Sequence, residues 1–296
     1  MKTCHSKCHS KRVQSTVSQS RLGLFEATWR RPPERKQFFV SGAWGTAVIT
    51  GRLSQVHRNL LDVLPMTIVK EAMTPDGCRH LLIDPHTLKK AMSRKGKKVG
   101  ARQCVDMLKD LTDALVEIKT TSGLTCIGHI LDEVLYQSRE VPNAIGARLP
   151  VGGKKGGERV RAARSLWRVK ISASWMKFIE QDLTYKYDIG KVMALQSGVS
   201  AAAARLLLTH KNNNIPTGIE TVLTQLGIKE GECQERWNAR RRLAADAHGL
   251  ADLGIRLEDG TIKTGSPLPQ NTQVAATEYP SAATEYPSAA TEYPVR

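Results

Sequence analysis

The run Glu232-Cys-Gln-Glu-Arg-Trp-Asn-Ala-Arg-Arg-Arg-Leu-Ala-Ala-Asp-Ala-His248 limits the folds open to this chain more than any other stretch. At 100° per residue, Cys233, Trp237, Leu243, Ala244, Ala247 and Leu250 fall in one arc, which predicts an amphipathic helix with that side inward. Gln234, Asn238, Arg241 and Arg242 fall opposite, facing solvent. Arg240 lies on the apolar side, so it must run out along the surface or pair with a carboxylate. A shorter helical pattern over 217–226, carried by Ile219, Val222, Leu223 and Leu226, precedes this helix and breaks at Gly227. After it, Asp259-Gly260 is a two-residue hairpin signal between two short strands. Helix, turn, basic helix and hairpin is the order of a winged helix-turn-helix.

A second unit with the same order precedes it, over about 51–138. Leu53, Val56, His57, Leu60, Leu61 and Leu64 form one helical stripe, started by the N-cap candidate Ser54 and stopped before Pro65. No Cys, Ser or carboxylate stands at a telling spacing from His57, so it reads as a histidine at the edge of the core. Residues 78–83 are strand-like, and Asp84-Pro85 gives a cap and a first-turn proline for a helix through Met92. A helix over 101–115 turns Cys104, Val105, Leu108, Leu111 and Leu115 inward and Arg102, Gln103, Asp106, Lys109 and Asp110 outward. Strands over 115–120 and 124–135 follow, joined by Thr121-Ser-Gly123. The glycines of Gly152-Gly-Lys-Lys-Gly-Gly157 are not a phosphate loop, because Glu158 stands where such a loop continues with Lys and Ser or Thr. They read as a flexible cationic insertion. The expected fold class is therefore α+β, with two tandem winged-helix domains and disordered termini. The expected boundaries are a basic flexible tail over 1–45, a first domain over 46–172 with its insertion at about 139–164, a second over 173–264, and a disordered tail over 265–296.

A net charge of +16 favours nucleic acid or another anionic surface as partner. No run of 18 apolar residues is present, so no membrane span is expected, and no apolar segment follows the basic N-terminus as in a secretory signal. Six scattered cysteines suit a reducing, cytoplasmic setting. The tetrads Cys4-His-Ser-Lys and Cys8-His-Ser-Lys lack the spacing of structural zinc sites, so no metal is expected, and no motif calls for a cofactor. At the other end, Ala-Ala-Thr-Glu-Tyr-Pro-Ser stands at 275–281 and 282–288 and, without its serine, at 289–294. Seven codons span 7 × 3 = 21 base pairs, close to two turns of B-DNA at about 10.5 base pairs per turn. The expectation is that the reading frame here runs through direct repeats kept for their DNA.

Arginine suits guanine, and asparagine and glutamine suit adenine. The candidate DNA-binding residues are thus Gln234, Arg236, Asn238, Arg241 and Arg242 on the basic helix and Lys263 in the hairpin. Lys97, Lys98, Arg102 and Gln103 of the first unit stand in a run, 89–102, with seven basic residues and no acid, which suits phosphate contact.

Gly51-Arg-Leu-Ser-Gln-Val-His-Arg-Asn-Leu-Leu-Asp62, Leu82-Ile-Asp-Pro85, Val192-Met-Ala-Leu195 and Ala203-Ala-Arg-Leu206 resemble the iteron-binding plasmid replication initiators. The likeness is to the RepC initiators of IncQ plasmids and the TrfA-like group, over about 46–264. It implies two winged-helix domains, the second reading iterons in the major groove through 232–248 and the first touching phosphates and mediating pairing. It further implies a non-enzymatic role in plasmid replication and copy control in the bacterial cytoplasm. The implied partners are direct repeats, a plasmid or host replicative helicase, a primase and a second copy of the chain. The Gly/Lys insertion and the Tyr-containing repeats have no counterpart in that resemblance. Two rivals stand beside it. A winged-helix repressor would take one palindrome as a two-fold dimer. A DNA-processing enzyme would nick DNA or hydrolyse ATP.

Overall fold

The computed structural model describes residues 12–42, 45–94, 97–121, 123, 125–136, 148–149, 164–210, 216–228, 233–258 and 260–264. The Cys/His tetrads, most of the 139–164 insertion and the repeats from 265 on lie outside the described residues. In chain order the first elements are β1 (Arg12–Thr16), α1 (Val17–Arg21), β2 (Lys36–Gly42), β3 (Gly45–Gly51), α2 (Gln55–Val63), β4 (Ile68–Met73) and β5 (Arg79–Ile83). Next come α3 (Pro85–Met92), α4 (Ala101–Asp113), β6 (Leu115–Thr120), β7 (Thr125–His129) and β8 (Leu131–Leu135). The pair β9 (Arg148–Leu149) and β10 (Arg164–Ser165) precedes β11 (Trp167–Ile171), α5 (Ala173–Gln181), β12 (Thr184–Asp188), α6 (Ile189–Ala194) and α7 (Gly198–Leu208). Last are β13 (Thr217–Gly218), α8 (Ile219–Gln225), α9 (Cys233–Ala245), α10 (Ala247–Ala251), β14 (Ile255–Glu258) and β15 (Thr261–Thr264). The fold is α+β.

Helix starts follow the local chemistry. Asp84 accepts from the His86 N–H with Pro85 at the first helical position, and Ser172, Asp188 and Ser197 cap α5, α6 and α7 in the same way. Alternation sets the first sheet, of order β2-β3-β6-β7. Ala47, Ile49, Val116 and Ile118 point to the core, while Phe39, Leu115 and Ile127 point to solvent. The 124–135 stretch, expected as one strand, breaks at buried Ile130. Its second half, β8, joins a different antiparallel sheet of order β4-β5-β11-β8.

The C-terminal portion runs α7, β13, α8, α9, α10 and then the β14–β15 hairpin, and β13 adds to the hairpin to give the order β13-β15-β14. This is the expected order of helix, helix and hairpin, with α10 added before the hairpin. The first portion repeats the order with α2, the β4–β5 hairpin, α3, α4 and the β6–β7 hairpin, its sheet widened by β2 and β3.

Residues 12–42, expected to belong to an irregular tail, instead carry two strands and a helix. β1 pairs antiparallel with β12, from Arg12↔Asp188 to Thr16↔Thr184. Arg21 donates to the Thr209 hydroxyl and carbonyl at 2.7 Å each, satisfying the C-terminal end of α7. A strand whose partner lies so far along the chain has no local signature of its own.

The polar side of α2 is buried rather than solvated. Gln55, Arg58, Asn59 and Asp62 meet Ser15, Tyr187 and Arg205 from β1, β12 and α7. The Arg205 guanidinium donates to Gln55 at 2.6 Å, Tyr187 Oη at 3.0 Å and Asp62 at 3.3 Å, and the Tyr187 hydroxyl donates to Asp62 at 2.5 Å. Burial pushes the pKa of that hydroxyl well above its ordinary value. A buried charge cluster is tolerated because nearly every donor and acceptor in it has a partner.

Candidate nucleic-acid interface

The side of α9 that packs inward is set by Arg236, Ala239 and Leu243, continued by Asp246 and Leu250. This buried arc is rotated by about 70° from the expected one, taking 100° per residue. Cys233, Trp237 and Ala244, expected inside, are exposed, and Trp237 is 49% exposed. The cause lies outside the helix. Ala239 permits close approach to the buried alanines of α7, and Arg236 is drawn in by partners on and just after α8.

Arg236 is 7% exposed and donates to Glu220 Oε2 at 2.6 Å, Thr224 Oγ1 at 2.6 Å and the Ile228 carbonyl at 3.1 Å. Its expected place among the DNA-facing residues is therefore corrected, since its donors are used inside the protein. Arg240 stands at the edge of the buried arc and donates to Glu220 Oε1 at 2.6 Å, the carboxylate pairing anticipated for it. The hydrogen bond from Arg240, joined by that from Arg236 and opposed by desolvation, holds the Glu220 carboxyl below its usual pKa. Two arginines of α9 thus share one carboxylate of α8.

What remains on the solvent side is Gln234, Trp237, Arg241 and Arg242, all exposed, with half-buried Asn238 beside them. The Arg241 guanidinium carbon lies 4.6 Å from the centre of the Trp237 ring. The helix is braced at its far end by Asp246, whose carboxylate accepts from the Gln196 and Ser197 N–H groups at 2.7 and 3.0 Å, at the start of α7. These two hydrogen bonds fix the end of α9 against the start of α7.

In the wing, Gly260 has φ 77°, a turn conformation that side chains disfavour. Lys263 lies on β15 and is paired with Glu258 at 2.6 Å, which lowers the Glu258 pKa. In the first portion, Lys97, Lys98 and Arg102 are exposed between α3 and the start of α4. Gln103 is turned to another task, its Oε1 accepting from the Gly100 N–H at 2.9 Å as part of the α4 cap. Neighbouring Arg94 is half-buried, with its guanidinium carbon 4.1 Å from the centre of the Trp29 ring.

The sequence reading missed the partners of His57. Its Nδ1 accepts from the Ser54 N–H at 3.1 Å, and its Nε2 donates to Asp110 at 3.1 Å. Asp110, expected to face outward, is buried and is also held by Arg31, with Nη2 to Oδ1 at 2.8 Å. Ser54, His57 and Asp110 follow one another as in a hydrolytic triad, but Ser54 and His57 are wholly buried and Arg31 occupies the Asp110 carboxylate. The group ties α2 to α4. Among the described residues no set of three or more His, Cys, Asp or Glu could hold a metal, and no helix is long and apolar enough to cross a membrane.

No protein-family model matches the chain, and no curated protein matches it in sequence. The expected likeness to IncQ-type RepC and TrfA-like initiators has no counterpart in those comparisons. Among solved structures, the chain is similar to a selenomethionine derivative of domains 2 and 3 of RctB, a replication initiator of a Vibrio chromosome, with TM-score 0.48 and 12% identity over 85% of this chain and 100% of that one. A second structure of RctB domains 2–3 gives TM-score 0.43 and 13% identity over 81% of this chain and 94% of that one. At such scores the resemblance by itself assigns neither fold nor function to this chain.

Proposed function

We propose that this chain is a plasmid replication initiator that binds direct repeats at an origin. In this reading α9 enters the major groove, the β14–β15 wing lies along the backbone, and the α3–α4 portion adds phosphate contacts. The observation that carries it is the division of labour on α9. Arg236 and Arg240 are folded back onto Glu220, while Gln234, Asn238, Arg241 and Arg242 remain on one supported face with the groups that suit base edges. The net charge of +16 supplies the sequence-independent attraction. Several copies on adjacent repeats would strain flexible A·T-rich steps beside them, where a plasmid or host helicase, with a primase, is loaded. Self-association belongs to the same reading, which places the protein in the bacterial cytoplasm and gives it no catalytic step.

The test is a nuclease footprint of the purified chain on its own replicon. Protection recurring over tandem direct repeats, lost in Arg241→Ala and Arg242→Ala, is the expected result. One protected palindrome would mean a repressor. Nicking or ATP hydrolysis by the pure protein would place it among DNA-processing enzymes.

A further inference from the structure

We propose that Trp237 and Arg241 act as one base-reading unit, with Arg241 taking a guanine and Trp237 taking the 5-methyl group of a neighbouring thymine. The inference rests on the proposed DNA-binding role of α9 and adds a specificity-determining residue to it.

Trp237 lies opposite the Arg236, Ala239 and Leu243 side of α9, between Gln234 and Arg241 on the solvent face. About half of its surface is open, and its one described ring contact is the Arg241 guanidinium at 4.6 Å. The surrounding charge suits DNA rather than an apolar protein partner. Arg241 and Arg242 stand on the same face, exposed Glu235 is the one acidic residue of α9 itself, and the chain is strongly basic.

Two consequences follow from the pairing. A guanidinium stacked on an indole has its plane and position set in advance, so less freedom is lost when its edge meets guanine O6 and N7. The stacking is also favourable in itself, and survives partial exposure. The half of the indole left uncovered is an apolar surface beside that guanidinium. In the major groove the one apolar feature of the base edges is the thymine methyl. A ring fixed on the same helix turn as the guanine-reading arginine is therefore placed to meet the methyl of an adjacent base pair.

The experiment begins by enriching a random duplex pool on the full chain. Each thymine of the enriched site is then replaced singly by uracil, which removes only the methyl. Wild type should lose about fourfold in affinity at one thymine next to a guanine, the worth of one methyl-sized group removed from water. Trp237→Ala should bind the methylated site at least about tenfold more weakly, through loss of both the apolar contact and the pre-set Arg241, and should be indifferent to that uracil. Trp237→Phe should keep the uracil sensitivity. Thermal melting of the variants checks that they fold, which the open position of Trp237 favours. If the pool yields a site that Trp237→Ala binds as wild type does, and no uracil matters, this inference falls and the DNA-binding reading stands. If the pool yields no sequence, the DNA-binding reading falls and takes the inference with it.

Discussion

The guanidinium of Arg205 in α7 lies 3.3 Å from the carboxylate of Asp62 in α2, 143 residues earlier in the chain, and both side chains are almost wholly buried. Arg58 approaches the same carboxylate at 3.3 Å. One carboxylate therefore balances two buried guanidinium groups. Asp62→Ala leaves both uncompensated and should destabilise the protein by about 3–5 kcal/mol in urea unfolding. Glu71→Ala, which breaks the exposed Arg79 pair, should cost less than about 1 kcal/mol. Equal losses in the two variants would show that the buried cluster contributes nothing special.

Asp110 carries a pH dependence. Burial works to raise its pKa, but hydrogen bonds from Arg31 and His57 outweigh it and hold the carboxyl down to about 2. A folded-state pKa below the unfolded one gives stability that is complete above the unfolded value, near about 4, and is lost as pH falls through the folded value. The contribution is about 2 kcal/mol, disappearing between about pH 4 and pH 2. Unfolding wild type and Asp110→Asn across that window should show a steeper acid loss in wild type. Parallel curves would remove Asp110 from the acid response.

Arg236 and Arg241 should separate stability from binding. Arg236→Ala leaves Glu220 with one partner fewer and opens a gap between α8 and α9, so melting should fall, by an amount equivalent to about 1–3 kcal/mol. Arg241→Ala should leave melting unchanged and weaken binding to the enriched site by about 1–3 kcal/mol. If Arg236→Ala melts like wild type and only its DNA affinity drops, Arg236 is a DNA contact after all.

These two arginines also show what the sequence could and could not tell. The helix and the hairpin after it were legible, because the period of 3.6 and Asp259-Gly260 are local signals. The rotation of the helix was not. Hydropathy counts Trp237 as core and Arg236 as surface, whereas the inward turn of Arg236 depends on Glu220, 16 residues earlier on another helix. His57 was placed correctly at the core, but Asp110, 53 residues away, could not be recognised as its partner by spacing. β1 escaped notice for the same reason, its ladder being made with β12. The break at Ile130 was hidden because the second half of the stretch pairs with β11, a strand much later in the chain, and not with β6.

Lys97, Lys98 and Arg102 are exposed on the surface of the first portion. Neutralising all three should weaken binding to every DNA sequence alike and reduce the dependence of log K on log salt by about 1 for each phosphate that is no longer neutralised. The measurement is binding to the enriched site and to random duplex at several salt concentrations. A loss confined to the enriched site would move these residues from phosphate contact to base reading.

The C-terminal repeats give a prediction about DNA rather than about protein. Ala-Ala-Thr-Glu-Tyr-Pro recurs three times at a period of seven residues, hence at 21 base pairs in the gene. Copies spaced by about two helical turns present the same face of the duplex, so proteins bound to them can touch. If the repeat is kept for its DNA, the three coding copies should agree at third codon positions as well as in the peptide. The natural coding fragment should then be shifted in a gel by the full chain, in up to three steps. A fragment recoded with synonymous codons encodes the same peptide and should not be shifted beyond a random duplex of equal length. Selection on the peptide predicts the reverse pattern, with third positions drifted and both fragments bound equally weakly. The enriched site from the random pool serves as the positive control, so a failure to shift the natural fragment cannot be mistaken for an inactive protein.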